Sequence, residues 1–253
     1  MSRLSPDEVH VWTASRDAPD GVVEAMRALL TLDELKRTDR FAVVRDRRQF
    51  AVGRGLLRVI LGRYLGRAPE SLRFVANVHG KPGLDPAAGD LPPIRFNLAH
   101  SGPWVVYAFT LGREVGVDIE RVRPEFGGFA IAERFFAPTE VAALRALPEA
   151  SRRLAFFHGW ARKEAYIKAK GKGLALPLDQ FEVAIDPARP AALLATSPDP
   201  EEASRWSLVE IPAEPGFVAA LCVEGGGWTL RQWIWPLVED RPDAPFPPLT
   251  PPI

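Results

Sequence analysis

Residues 156–173, FFHGWARKEAYIKAKGKG, constrain the fold most, because they predict an amphipathic helix with a carboxylate on its apolar face. At about 100° per residue, Trp160 and Ile167 fall on one arc of such a helix. Glu164 falls inside that arc, and Lys168 lies beside it. A carboxylate on a buried face is unfavourable unless a cation binds it. The helix therefore predicts a cation opposite Glu164.

A second pair of carboxylates lies in residues 115–120, VGVDIE, which read as a buried strand. Because side chains alternate along a strand, Asp118 and Glu120 share one face and repel each other unless a positive group lies between them. Two explanations stay open at this point. The pair faces solvent or Arg121 and Arg123, or it binds a divalent cation through oxygen ligands.

Composition excludes several classes of function. Lys and Arg together number 32, as do Asp and Glu, so no overall basic charge favours nucleic acid as a partner. The single cysteine, Cys222, rules out an intramolecular disulfide framework. No apolar run approaches the 18 or so residues of a membrane span, and the first residues lack a signal-peptide layout. We therefore expect a cytoplasmic protein with no membrane or nucleic-acid partner.

The order of predicted elements indicates an α+β fold. Each half of the chain reads as helices first and then strands, which suggests two similar α/β halves in a pseudo-twofold arrangement with the active site in the cleft between them. The expected divisions are an N-terminal half over residues 1–122, a C-terminal half over residues 123–236, and a proline-rich tail over residues 237–253.

Several side chains outside these carboxylates are candidates for an anion site. Arg37 and Arg48 would point the same way if one helix ran through both, although a solvated basic face explains them equally well. Lys81 lies in a Gly80-Lys81-Pro82 loop, and His100 lies at the end of a predicted strand.

Glu140 lies near a predicted helix start, where Thr139 could cap the helix. A carboxylate is favourable at a helix start, so a capping role and a chemical role both stay open for Glu140. Gly159 is unfavourable inside a helix by about 1 kcal/mol, so we expect the helix around Glu164 to bend or to begin there.

Three carboxylates on two elements, Asp118, Glu120 and Glu164, suit Mg²⁺, which takes oxygen ligands and often shares them with substrate phosphate. Lysines, His100 and arginines around them form an anion-binding set. No Walker A loop, GxGxxG turn or Cys/His metal spacing is present in the sequence. These features favour a nucleotide diphosphate held without a Gly-rich loop.

Residues 116–120, GVDIE, followed by residues 160–168, WARKEAYIK, resemble the two-part signature of 4′-phosphopantetheinyl transferases, (V/I)G(V/I)D and (F/W)xxKE(A/S)xxK. Three other segments of the chain resemble further motifs of this family. They are Gly80-Lys81-Pro82, the turn at residues 97–101 and Arg134-Phe135-Phe136. The resemblance covers roughly residues 35–185, and the length and two-half organisation resemble the Sfp-type, pseudodimeric subfamily. It implies transfer of the phosphopantetheine arm of coenzyme A to a serine of an apo acyl or peptidyl carrier protein, with release of adenosine 3′,5′-bisphosphate.

The resemblance also implies roles for individual residues. Asp118, Glu120 and Glu164 match ligands of Mg²⁺, which Mn²⁺ can replace. Lys168 matches the lysine that holds the pyrophosphate, and Glu140 matches a proposed general base for the serine proton. The expected coenzyme A contacts are Arg37, Arg48, Lys81, Pro82, Asn97, His100, Ser101, Lys163 and Lys168.

The resemblance leads us to expect a monomer that serves polyketide or nonribosomal peptide biosynthesis. Two alternatives use the same residues. A Mg²⁺-dependent nucleotide-pyrophosphate hydrolase would use water in place of the serine, and a non-catalytic module would bind coenzyme A or a carrier protein without turnover. Carrier proteins are typically acidic around the modified serine, which makes Arg45, Arg47 and residues 70–80 candidates for the docking surface.

Overall fold

The computed structural model describes residues 4–89, 91–124 and 128–236. The predicted proline-rich tail, residues 237–253, lies outside them, as does part of the predicted connection at residues 122–128. None of the helices in the described ranges combines the length and apolarity that a membrane crossing requires.

The first part of the chain places three helices and a small hairpin around an antiparallel sheet. Its elements are β1 (Glu8–Ser15), α1 (Asp20–Ala28), α2 (Leu32–Asp39), α3 (Val44–Leu65), β2 (Phe74–Ala76), β3 (Pro82–Leu84), β4 (Ile94–Ser101) and β5 (Trp104–Leu111). The segment over residues 20–39 forms two helices rather than one, because Thr31 caps α2 with Glu34 in a capping box.

The second part repeats this layout with a different set of strands. Its elements are β6 (Val115–Arg121), α4 (Gly128–Phe135), α5 (Pro138–Ala146), α6 (Glu149–Lys170), β7 (Phe181–Val183), β8 (Leu193–Thr196), β9 (Trp206–Ile211), β10 (Phe217–Glu224) and β11 (Thr229–Ile234). Each half packs one 22-residue helix, α3 or α6, against its sheet, and each of these helices ends at a glycine in the left-handed conformation, Gly66 or Gly171. The predicted α+β fold with two similar halves is confirmed.

The sheets do not follow the predicted boundary at residue 122. The first sheet has the strand order β11-β1-β5-β4, so the last described strand pairs in parallel with the first. The second sheet has the order β6-β10-β9, so the strand that carries Asp118 pairs with the C-terminal half.

An apolar cluster joins the two sheets face to face. Val11 and Val106 of the first sheet and Val117 and Ile119 of the second belong to it, and all four are buried. Because strand side chains alternate, this cluster turns Asp118 to the opposite face of β6, against α6.

Helix α6 begins earlier than the sequence indicated and runs straight through Gly159. A Cβ at Gly159 would lie 2.6 Å from Ile185 Cδ1 and 3.2 Å from Phe136 Cε2. The glycine therefore allows close packing against Ile185 and Phe136. The predicted helix start at this position is wrong, because α6 continues from Glu149 to Lys170.

Gly116 brings the backbones of β6 and α6 into direct contact. A Cβ at this position would overlap the Ala165 carbonyl oxygen and the Ala169 amide nitrogen and would lie 2.9 Å from the Ala169 Cα. A glycine inside a strand often marks such a close approach. The contact fixes the depth at which α6 lies on the face of β6.

Gly116→Ala should lower the free energy of unfolding by about 3 kcal/mol, the upper end of the usual cost of overpacking, because the added methyl group displaces α6. Gly21→Ala is the matched control, since nothing lies within 4 Å of a Cβ there, and it should raise stability by about 0.5 kcal/mol. Urea denaturation measures both. Equal effects of the two substitutions on the free energy of unfolding would contradict the close backbone contact between β6 and α6 at Gly116.

Candidate active site

The crossing of α6 over β6 brings together the side chains that the sequence singled out. Asp118 lies opposite Ala220 in the strand register, and Glu120 lies opposite Val218, so both carboxylates stand on the α6 side of the sheet. Glu164 and Lys168 project from α6, and both influence the ionisation of Asp118 and Glu120. These four side chains form what we call the carboxylate–lysine cluster.

Lys168 forms the closest contact in the cluster. Its Nζ lies 2.5 Å from Asp118 Oδ1. Asp118 is 4% exposed, and its second oxygen, Oδ2, is buried without a hydrogen-bond partner among the described residues. A buried carboxylate oxygen without a partner is unfavourable, so Asp118 retains the capacity to bind a further cation or proton.

Burial dominates the ionisation of Asp118. It raises the pKa of Asp118 to about 7, because loss of hydration and the nearby Glu120 and Glu164 outweigh the attraction of Lys168. Burial alone would lower the pKa of Lys168, but the contact with Asp118 and the charges of Glu164 and Glu120 outweigh it and raise that pKa. Lys168 is therefore a fixed positive charge at neutral pH.

Glu120 lies at the more open end of the cluster. Burial raises the pKa of Glu120, against the opposing pull of Lys168 and Arg123. The Ser101 hydroxyl donates to Glu120 Oε2 at 3.5 Å and accepts from the Arg121 amide at 3.0 Å. Ser101 thus ties the end of β4 to the end of β6.

Asn97 makes a second hydrogen-bonded link between β4 and β6. Its Oδ1 accepts from the Val117 amide at 2.9 Å, and the side chain is buried. Asn97 and Ser101 therefore hold the edge of the first sheet beside the edge of the second. Residues 97–101, predicted as a turn, are the end of strand β4, and Asn97 has little surface left for a ligand.

His100 lies between these two residues on the other face of β4 and is exposed. Partial loss of hydration lowers the pKa of His100, and the positive charges of Arg16 and Lys168 lower it further. The imidazole is therefore neutral at pH 7. Arg16 was not singled out from the sequence, and no sequence signal distinguishes it from other arginines.

Lys81 faces the protein in this structure. Its Nζ donates to the carbonyl oxygens of Val115 at 3.1 Å and Ala169 at 3.0 Å, and it lies 2.8 Å from Glu114 Oε2. Lys81 therefore fastens the β2–β3 hairpin to the start of β6 and to the C-terminal end of α6. The coenzyme A contacts expected for Lys81 and Pro82 stay predictions; in this conformation the Lys81 ammonium is engaged within the protein, and Pro82 begins β3.

The hairpin makes one further contact with α6. Asn77 Nδ2 donates to the Gly171 carbonyl at 2.7 Å. Asn77 and Glu114 were also missed in the sequence, because their roles depend on a contact between segments about 90 and 30 residues apart.

Arg37 and Arg48 do not come together, because they belong to separate helices. Arg37 is exposed on α2, with its guanidinium 5.2 Å from the centre of the Phe50 ring, and lines an open surface cavity of about 770 Å³. Arg48 Nη1 lies 2.6 Å from Asp20 Oδ1, and its Nη2 donates to the Ala18 carbonyl. Arg37 is therefore available to an anion, whereas a carboxylate already neutralises Arg48.

Comparisons with known proteins agree with this geometry. The model of the 4′-phosphopantetheinyl transferase superfamily matches residues 114–222, and that of the N-terminal region of 4′-phosphopantetheinyl transferases matches residues 11–111. The chain is 39% identical over 230 residues to 4′-phosphopantetheinyl transferase HetI of Nostoc sp., which covers 91% of this chain and 93% of that protein. The chain belongs to the 4′-phosphopantetheinyl transferase family.

Two more distant relatives carry the same activity in their names. 4′-Phosphopantetheinyl transferase Sfp of Bacillus subtilis is 31% identical over 199 residues, covering 79% of this chain and 84% of that protein. The human L-aminoadipate-semialdehyde dehydrogenase-phosphopantetheinyl transferase is 30% identical over 164 residues, covering 61% and 52%. These matches establish the chain as a phosphopantetheinyl transferase of the Sfp type, and they give no support to the hydrolase alternative.

The transferase does not bring Lys163 or Glu140 to the carboxylate–lysine cluster. Lys163 is 0% exposed, and its Nζ lies 2.7 Å from Glu140 Oε2 and donates to the carbonyl oxygens of Leu178 and Phe181. Both residues belong to the interior of the C-terminal half. The contact between Lys163 and coenzyme A stays a prediction, and in this conformation the Lys163 ammonium contacts Glu140, Leu178 and Phe181 instead.

Glu140 is 2% exposed and fully engaged in structural contacts. Its Oε2 accepts from the Ala137 amide at 2.8 Å, and its Oε1 accepts from the Val183 amide at 2.7 Å. Burial raises the pKa of Glu140 and lowers that of Lys163. Helix α5 begins at Pro138 and Glu140 closes its start, so Thr139 is not the cap. The general-base role expected for Glu140 finds no support in this geometry.

A preformed metal site is also absent from the described residues, where no group of three or more His, Cys, Asp or Glu side chains is arranged to hold an ion. Lys168 supplies the positive charge beside Asp118 instead.

Glu140→Leu should lower the free energy of unfolding of the transferase by about 3–5 kcal/mol, because it leaves the buried ammonium of Lys163 unpaired. Replacing both residues, with Glu140→Leu and Lys163→Met, should recover part of that loss and keep kcat close to that of the wild type. The control Glu133→Gln breaks an exposed ion pair with Arg145 and should cost less than about 1 kcal/mol. If the Glu140→Leu variant were stable but had a greatly reduced kcat, that result would instead support the predicted general-base role of Glu140.

Proposed function

We propose that this transferase moves the 4′-phosphopantetheine arm of coenzyme A to a serine of an apo acyl or peptidyl carrier protein. The serine oxygen forms a bond to the phosphorus that carries the pantetheine, and the bond from that phosphorus to the bridging oxygen breaks. The serine proton is lost, and adenosine 3′,5′-bisphosphate leaves. The names of the relatives support the transfer, and the carboxylate–lysine cluster supports the choice of a pyrophosphate as the reacting group.

The observation that carries this proposal is the buried Asp118–Lys168 pair with one unpartnered carboxylate oxygen. A lysine and a set of carboxylates at one place suit a ligand that brings both negative phosphate and a cation. The donor chemistry fits Mg²⁺ or Mn²⁺, and Asp118, Glu120 and Glu164 would hold it. A bound ion supplies positive charge that stabilises the leaving phosphate.

Different residues of the chain then bind different parts of coenzyme A. Lys168 leaves Asp118 and pairs with the pyrophosphate, which keeps its charge compensated throughout. His100 is neutral and exposed, so it can offer a hydrogen bond to the ligand without adding charge. Arg37 is free to bind a more distant phosphate.

One chain supplies every member of the cluster, which supports a monomer as the active form.

Val43 and Val44 are exposed apolar residues at the start of α3, and Arg45 and Arg47 follow them. An acidic carrier protein would find both apolar and basic contacts there.

Incubation with coenzyme A, Mg²⁺ and an apo carrier protein should add the mass of one phosphopantetheine arm to the carrier. Glu164→Gln should reduce the rate by about hundredfold or more, because it removes a carboxylate beside the developing charge. The control Glu149→Gln, at the exposed start of the same helix, should have little effect. Intact-mass spectrometry measures all three.

Consumption of coenzyme A without any carrier would indicate hydrolysis and would contradict the proposal. Full activity of Glu164→Gln in the presence of Mg²⁺ would show that Glu164 does not act at the reacting phosphate.

A further inference from the structure

Arg162 lies on α6 two residues before Glu164 and contacts the end of β9. Its Nη1 donates to the Ala184 carbonyl at 2.6 Å, and its Nη2 donates to Glu210 Oε2 at 3.2 Å. The same Glu210 oxygen lies 3.2 Å from the Nδ1 of His158, one turn earlier on α6. The Arg162 side chain is 1% exposed, whereas that of Glu210 is 46% exposed. We call Arg162, His158 and Glu210 the Glu210 cluster.

The two 22-residue helices show which buried charges belong to the fold itself. Both helices end at a left-handed glycine, so their positions can be matched by counting back from Gly66 and Gly171. Arg58 and Lys163 stand eight residues before these glycines. Each is buried, pairs with a glutamate at the start of the preceding helix, and donates to two backbone carbonyl groups. Because both halves contain this arrangement, we attribute it to the fold.

The Glu210 cluster occurs in the C-terminal half only. Leu57 of α3 stands where α6 has Arg162, nine residues before the glycine. Gly53 of α3 stands where α6 has His158. The packing of such a helix on its sheet therefore does not require charged groups at these positions.

The strand register extends this difference to the sheets. In each half, three residues on neighbouring strands form one row under the long helix, with the fourth residue of β10 or of β5 in the middle. The rows are Asp118, Ala220 and Glu210 in the C-terminal half, and Trp12, Tyr107 and Leu98 in the N-terminal half. Directly opposed residues share a face of the sheet, so Asp118 and Glu210 lie on either side of one alanine under α6. The charged cluster thus accompanies the half that carries the candidate site.

Glu164 takes its direction from the helix. It acts on Asp118 and Glu120 through its charge, but it has no hydrogen bond or ion pair of its own to another described residue. Successive residues of a helix turn by about 100°, so the contacts that hold Arg162 and Lys163 on adjacent sides of α6 also set the direction of the residue that follows them.

Removal of Glu210 would leave Arg162 without its nearest negative charge. Asp186 attracts the guanidinium group but forms no ion pair with it within the described residues. The Nε of Arg162 is already buried without a hydrogen-bond partner among the described residues. A buried guanidinium group without a counter-charge is unfavourable, and it regains water when this part of α6 moves away from β9. Such a movement would displace Glu164.

We infer that Glu210 is a positioning residue for the transfer reaction, which acts through Arg162 to direct Glu164 at the cation. This inference rests on the proposed function, in which Glu164 holds Mg²⁺ or Mn²⁺ beside the pyrophosphate. Groups that orient a metal ligand affect metal affinity without touching the metal, and Glu210 needs no contact with either ligand in this role.

A purely structural role is the competing explanation, because the Glu210 cluster also fastens α6 to β9. The two roles differ in what they do to cation binding. Loss of a structural contact lowers the free energy of unfolding but leaves the Mn²⁺ affinity of the folded protein unchanged. Loss of a positioning contact weakens Mn²⁺ binding by the folded protein, and it does so only while Glu164 is present.

The test is electron paramagnetic resonance of Mn²⁺ binding to the full chain in the presence of coenzyme A. Glu210→Ala should weaken Mn²⁺ binding about tenfold, the lower end of the usual effect of removing a group that orients a metal ligand. Glu210→Gln keeps an oxygen acceptor for Arg162 and should recover most of the affinity. In a Glu164→Gln background, Glu210→Ala should cause no further loss, because the residue through which it acts is gone.

Glu202→Ala is the matched control. Glu202 forms an ion pair with Lys170 at the other end of α6, and Lys81 and Asn77 also hold that end through backbone carbonyl groups. The control should lower the free energy of unfolding but leave the Mn²⁺ affinity unchanged.

If Glu210→Ala melts below the assay temperature in circular dichroism, a double variant with Arg162→Leu and Glu210→Leu takes its place. It copies Leu57 and Leu98 of the N-terminal half, so it removes the cluster without leaving a buried charge. Mn²⁺ binding should again weaken about tenfold. Unchanged Mn²⁺ affinity in the folded variant, or an equal further loss when Glu210→Ala is added to Glu164→Gln, would overturn the inference.

A carrier-modification assay separates this result from the fate of the proposed function. A wild-type protein that binds Mn²⁺ through Glu164 with the help of Glu210 but never modifies a carrier would refute the proposed function and keep the inference. A wild-type protein that modifies the carrier, with a Glu210→Ala variant that binds Mn²⁺ as tightly, would keep the proposed function and overturn the inference.

Discussion

The contact between Gly116 and the backbone of α6 is the constraint on which the candidate site depends. Because no side chain separates the strand from the helix at Ala165 and Ala169, α6 lies deep on β6. Lys168 can then reach Asp118, and Glu164 faces the same cluster. The glycine, the two strand carboxylates and the helix residues thus form one unit, which explains why the two motifs occur together although about 45 residues separate them.

Two lysines of α6 form ion pairs that have different consequences. Lys163 and Glu140 have hydrogen-bond partners within the protein and stabilise the C-terminal half. Lys168 and Asp118 lie at the edge between the halves, with one carboxylate oxygen left without a partner. The first pair, Lys163 and Glu140, has its hydrogen-bond partners within the protein and is structural. The second is incomplete, and we expect a ligand to separate it.

Much of the fold and the centre of the site could be predicted from the sequence. The strand alternation around Asp118 and the helical arc around Glu164 are local patterns, so they indicated correctly which carboxylates share a face. The role of Lys163 could not be predicted, because one position along a helix turns a side chain by about 100° and only the packing decides which side is buried. Lys81 and Arg16 depend on contacts between distant segments, which no local pattern records. The pairing of β11 with β1 and of β10 with β6 also joins segments that are distant in the sequence.

The central claim is that a cation and the pyrophosphate of coenzyme A occupy the carboxylate–lysine cluster together, after Lys168 has moved from Asp118. It predicts that each ligand strengthens binding of the other, because Lys168 must leave Asp118 for either ligand to bind. Electron paramagnetic resonance of Mn²⁺ measures this coupling directly. We expect Mn²⁺ to bind at least about tenfold more tightly when coenzyme A is present, within the usual range of such coupling. Equal Mn²⁺ affinity with and without coenzyme A would contradict the account.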